Sequence, residues 1–268
     1  MLFDKLKCKK CGQEYDSMLD ECPTCEEENA QLNESLKGHV TWLPPFYELA
    51  LFLIGSVGLI IFGLMSNFIF KFAINYDITY AMLVNYTTYA FILLAFICVL
   101  LPFIKNIANS FKRLWTIPVG IGLGIGLIFV SMGYNIIVRL IFKGTTSNDN
   151  QQSIELIYNN YLFPSLILFG LVGPLCEEIT YRLGLFTLLK RVNKVLPYII
   201  TPIVFGLIHF NVTSSNIINE LINLPNYIIA GLYLCFVYNQ FGFTASYLAH
   251  ATNNFIPILL AAISKYVQ

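Results

Sequence analysis

Residues 166–189 read LILFGLVGPLCEEITYRLGLFTLL. The run is apolar from end to end except for Glu177, Glu178 and Arg182, with a lone Thr on either side of Arg182. It is long enough to cross a bilayer, which takes about 20 mostly apolar residues. Ionisable groups in such a segment cost about 2.5–3.5 kcal/mol each on insertion scales, so they mark function by default. On a helix, Glu178 and Arg182 stand four apart, share a face and can pair. Glu177 projects about 100° away and is left free for chemistry.

The same character extends outward. The 268 residues are 56% hydrophobic and 12% charged, with a net charge of zero. A soluble domain carries about 25% charged residues. This excludes an ordinary soluble enzyme, a disordered chain and a nucleic-acid binder with a broad basic face; no nucleic-acid partner is expected. Helices are predicted at 46–70, 79–103 and 116–142, then a polar loop over 143–153. The apolar stretch 156–189 is interrupted by Pro164 and Pro174. Residues 195–210 make a short span, and 221–264 is twice a span, with a natural turn at Asn239–Gly242. The fold class is all-α: a polytopic membrane helical bundle of about seven spanning helices with a small N-terminal zinc ribbon. The domains are a head over 1–38 and a multi-pass membrane domain over 39–268, with the chemistry-bearing core about 155–265.

Nine of the 16 acidic residues fall within the first 34 positions, which separates the head from the body. Cys8 and Cys11 form one CxxC, Cys22 and Cys25 a second. Four thiolates satisfy tetrahedral zinc. About 40 residues with few large apolar side chains need such a staple. Disulfides are disfavoured in a reducing compartment, and a redox CxxC is the other reading. The pattern resembles a zinc ribbon, although Glu26 stands where Gly often follows the last Cys. The chain start lacks the apolar h-region of a signal peptide, so the head is expected in the cytoplasm. Lys105, Lys112 and Arg113 in one loop, and Lys190, Arg191 and Lys194 in another, would lie on the same side as the head. That bias supports a cytoplasmic N-terminus in a cell-membrane protein.

Two of the three histidines, His209 and His250, also lie in apolar segments; His39 sits in the junction. His250 and Asn254 are four apart, on one helix face. A carboxylate, two imidazoles and a carboxamide converging from three helices can run hydrolysis, as base, proton shuttle and oxyanion donors. Taken singly, each has a plainer reading: an interfacial cap for Glu177-Glu178, interhelical hydrogen bonds for each His and for Asn254. A metal site of two His and a Glu is also chemically possible.

Glu177–Arg182 reads EExxxR, Phe205–His209 reads FxxxH and His250–Asn254 reads HxxxN. In this order and spacing the three resemble the motifs of the CPBP family of intramembrane proteases, named for CAAX proteases and bacteriocin processing and also called the Abi family. One departure is visible: Leu183 stands between Arg182 and Gly184, where the family often has Gly directly after the Arg. The resemblance implies an intramembrane endopeptidase. Glu177 would activate water, His209 would hold and polarise it, and His250 and Asn254 would stabilise the oxyanion. Arg182, through Glu178, would fix the first motif. It implies a peptide or membrane-protein substrate, of the kind used in peptide maturation or bacteriocin immunity, with membrane lipid as surroundings. A structural zinc in the ribbon, a protein partner for it, and an undecided catalytic metal complete the expectation. The alternatives are a catalytically silent scaffold and an ion-coupled transporter using the same Glu and His groups.

Overall fold

A computed structural model describes residues 5–8, 12–16, 22, 40–72, 77–143, 145 and 147–267. In the head, β1 (Lys5–Lys7) pairs antiparallel with β2 (Glu14–Asp16), Leu6 opposite Tyr15. Cys8 follows β1, and its N–H donates to Gln13 O at 2.8 Å. Cys11 and Cys25 lie outside the described residues, so the expected four-thiolate set, and the zinc ribbon as a whole, does too.

The body is helical. The first three long helices are α1 (Pro45–Phe70), α2 (Ile78–Leu100, extended by a 3-10 turn to Phe103) and α4 (Thr116–Ile141), with the short α3 (Ile104–Phe111) between the last two. They fall within a residue or two of the sequence expectation. Pro44 and Pro45 start α1, where a missing N–H costs nothing. Asp77 caps α2 by accepting from Thr79 and Tyr80 N–H.

The region after α4 differs from expectation. The polar loop ends early, because Asn148 caps a helix, α5 (Asp149–Asn160), by accepting from Gln151 N–H at 3.2 Å. The Asn-Gln-rich composition masked an amphipathic pattern in which Ile157 is buried. A break at Tyr161 then separates α5 from α6 (Leu162–Lys190). Pro164 and Pro174 do not interrupt α6. The helix runs through both and carries two widened, π-type stretches, Leu168–Val172 and Ile179–Phe186. Such widening is common at functional sites.

Next, α7 (Leu196–Leu207) has 12 residues. That is about 18 Å of helix, too short to cross a hydrocarbon core of about 30 Å by itself. The last helix, α8 (Ile217–Val267), breaks at Gly242, where φ is 84° and ψ −178°. An L-residue rarely adopts that conformation, and it coincides with the expected turn. Among the described residues, five helices are long and apolar enough to cross a membrane: α1, α2, α4, α6 and α8.

Lipid is as apolar as leucine, so these helices hold together through close packing and polar pairs rather than burial from water. At the head end, Glu48 is fully buried and takes a two-pronged contact from Arg191, Nε to Oε2 at 2.7 Å and Nη2 to Oε1 at 2.9 Å. Arg191 also donates to Leu43 O at 2.6 Å, which ties the segment below the head to the end of α6. Gly184 lets α6 meet the α1 backbone directly: a methyl group there would sit 2.8 Å from Phe52 N and 3.1 Å from Glu48 O. The glycine displaced by one from its usual place in the motif thus serves helix contact and leaves the reacting groups untouched. Gly184→Ala is expected to lower stability by about 1–3 kcal/mol, the cost of overpacking. Thermal unfolding in detergent checks it, and an unchanged midpoint would contradict the close approach.

Candidate active site

The regular turn of α6 between its two widened stretches places the two glutamates differently. Glu178 is fully buried. Its Oε1 accepts from His250 Nδ1 at 2.9 Å, and its Oε2 accepts from the Ser246 hydroxyl and lies 3.2 Å from Arg182 Nε. The expected Glu178–Arg182 ion pair is therefore present, and Glu178 is in addition bound to the third motif. Glu177 points the other way, into a cavity of about 590 Å³. Its Oε2 is buried without a hydrogen-bond partner among the described residues, and His250 Nε2 stands 3.6 Å from it. That separation is too long for a hydrogen bond.

His250 is thus held between two carboxylates. With Nδ1–H committed to Glu178, its Nε2 faces Glu177 and the cavity. Nε2 becomes a donor only when the ring carries a second proton.

His209 lies beyond the end of α7 rather than inside it. Its Nδ1 is 2.8 Å from Phe205 O. A carbonyl only accepts, so Nδ1 carries the hydrogen and Nε2 is the acceptor in the neutral ring. The ring stacks on Tyr227 with centroids 4.5 Å apart and planes at 16°. The Phe of FxxxH works as a hub. Its ring lies 5.1 Å from the Arg182 guanidinium carbon, 4.9 Å from the His209 ring and 5.8 Å from the His250 ring.

Asn254 donates to Phe169 O at 3.3 Å and accepts from Asn253 Nδ2 at 3.0 Å. Phe169 belongs to the first widened stretch of α6, where the carbonyls depart from the regular helical pattern. One amide hydrogen of Asn254 remains available.

Glu177, His209, His250 and Asn254 all line the one cavity, while Glu178 and Arg182 stand behind it. The lining also includes α5 and its cap, through Asn148, Gln151, Glu155 and Tyr158. Asn148 is 2% exposed; it donates to His209 O at 2.8 Å and accepts from Tyr227 OH at 2.9 Å. Sequence reading missed Tyr227 and Asn148, which carry no motif. Ser246 was also missed, although it lies four residues before His250 on the same face. Among the described residues no three His, Cys, Asp or Glu side chains form a metal-holding group. Of the two imidazoles, one nitrogen each is already committed. In each ring the committed nitrogen is Nδ1, which leaves Nε2 free.

Residues 159–256 match the family model described as type II CAAX prenyl endopeptidase Rce1-like. The match spans EExxxR, FxxxH and HxxxN in full, and it supports the family that the three motifs resemble. An uncharacterized protein of Mycoplasma capricolum subsp. capricolum is 26% identical over 223 residues. The aligned part covers 77% of this chain and 64% of that relative, so the chain spans just under two thirds of the relative's length. No solved structure matches the chain.

Proposed function

We propose that the protein is an intramembrane endopeptidase of the CPBP type, cutting a peptide or membrane-associated protein with water activated by Glu177. The observation that carries this reading is the buried Glu177 Oε2, without a hydrogen bond among the described residues, facing a polar cavity at the depth of an apolar helix. Such a group is expensive unless something approaches it. The family match supports proteolysis over a silent scaffold or an ion-coupled transporter.

In this mechanism a water sits between Glu177 and His209 Nε2. Glu177 takes its proton as the oxygen attacks the scissile carbonyl. The carbonyl oxygen becomes an oxyanion that accepts from protonated His250 and from Asn254. Glu177 then gives the proton to the departing amine, which leaves Glu177 ionised as at the start. The carboxamides lining the cavity, among them Asn85, Asn223, Asn226 and Asn253, suit a peptide whose backbone groups need partners inside a membrane. Peptide maturation and bacteriocin immunity are the roles favoured for it. The chain would cross the cell membrane six times, one fewer than the sequence suggests because α7 is too short, with α8 crossing twice about Gly242 and the head in the cytoplasm.

Comparison of new N-termini in native membranes with wild-type and Glu177→Ala protein tests the reading. A peptide or membrane protein should accumulate uncut in the variant. Identical cleavage patterns would remove proteolysis from consideration.

The head is proposed to hold one structural zinc on Cys8, Cys11, Cys22 and Cys25, and to serve a protein partner. Changing all four to Ser in the full chain should remove that zinc and leave cleavage in place. Metal analysis alongside activity checks both halves. Zinc that persists, and is then lost with activity in His209→Ala, would make the enzyme a metallopeptidase.

A further inference from the structure

Ser246 lies on the face of α8 that carries His250 and Asn254, at intervals of four residues. It is fully buried. A serine inside a helix ordinarily turns its hydroxyl back to the carbonyl four residues earlier. For Ser246 that carbonyl belongs to Gly242, whose non-helical backbone takes it out of the helical pattern. The hydroxyl donates instead across the bundle to Glu178 Oε2, 68 residues away in sequence.

The other groups around Glu178 do not set its orientation equally well. Arg182 Nε is 3.2 Å from Oε2, yet none of the three guanidinium nitrogens makes a hydrogen bond among the described residues. Arg182 therefore supplies charge rather than aim. His250 occupies Oε1. The directional hydrogen bond at Oε2 is that of Ser246, with Leu234 O a longer contact of the same hydroxyl at 3.3 Å.

We infer that Ser246 is a positioning residue. Its hydroxyl fixes the rotation of the Glu178 carboxylate, so that Oε1 meets His250 Nδ1 and His250 Nε2 is aimed at Glu177 and the cavity. The break at Gly242 is part of this device, because it frees the hydroxyl from its own helix. The functional unit of the last helix is then Ser246-xxx-His250-xxx-Asn254, one turn longer than the motif that carries the family resemblance.

The test uses the full chain in detergent with 15N-labelled histidine. The chain has three histidines, His39, His209 and His250, so each signal can be assigned. In Ser246→Ala the His250 signals should shift, its Nδ1–H losing the mark of a strong hydrogen bond to carboxylate. The His209 and His39 signals should stay in place. Ser246→Thr, which keeps the hydroxyl, should restore the wild-type His250 signals. This arm needs no substrate, so it stands even if the proteolytic reading fails. The kinetic arm rests on that reading. On a substrate found by the N-terminus comparison, Ser246→Ala should lower kcat by about 10–100-fold with little change in KM, the scale seen for groups that orient metal-bound imidazoles. Unmoved His250 signals in Ser246→Ala overturn the assignment. So does equal movement of the His209 signals, which would mean that the hydroxyl only supports the fold.

Discussion

Glu177→Ala should cleave nothing measurable while inserting and unfolding like the wild type. The side chain is 18% exposed and its Oε2 has no hydrogen-bond partner among the described residues, so truncation breaks no hydrogen bond of that oxygen. Removal of a general base costs about 10²–10⁴ in rate, and more when the same group also holds the water. Stability should change little, because a costly buried carboxylate disappears with the activity. The measurement is turnover of purified protein beside its thermal unfolding. Near-wild-type turnover in Glu177→Ala would sink the mechanism, and a large fall in unfolding temperature would show Glu177 to be a structural group.

Arg182→Ala should do the reverse and damage folding first. Arg182 and Glu178 are both completely buried. Removal of one partner of a buried pair costs about 3–5 kcal/mol, because the other charge stays in place uncompensated. Arg182 also packs on Phe205, the ring that supports His209 and His250, so the site should loosen as well. Glu178→Gln in the same chain removes the stranded charge and should raise the level of folded protein above that of Arg182→Ala alone. Activity should not return, since the Glu178 carboxylate also orients His250. The quantities to compare are membrane expression and unfolding temperature. Equal loss in the single and double variants would show that the pair is not what holds the two residues.

The two expectations separate neighbouring glutamates that sequence alone separates only by angle. A hundred degrees between adjacent helical positions was enough to send Glu178 towards Arg182 and Glu177 elsewhere. What each then meets depends on α8, more than 60 residues later in the chain.

The amino-acid sequence by itself determined the all-α membrane body, the first three long helices and the break at Gly242. Long apolar runs without charge have few alternatives in lipid, since every backbone group must be satisfied within the segment. It also marked Glu177, Glu178, Arg182, His209, His250 and Asn254, because polar groups are conspicuous where their burial is expensive. The tertiary structure alone decided the partners: Ser246 on Glu178, Asn254 on Phe169 O, Tyr227 against His209, and α5 as a wall of the cavity. Those contacts join residues up to 85 positions apart. Spacing along one helix specifies which side chains share a face, whereas the groups that face meets are set by how separate helices pack.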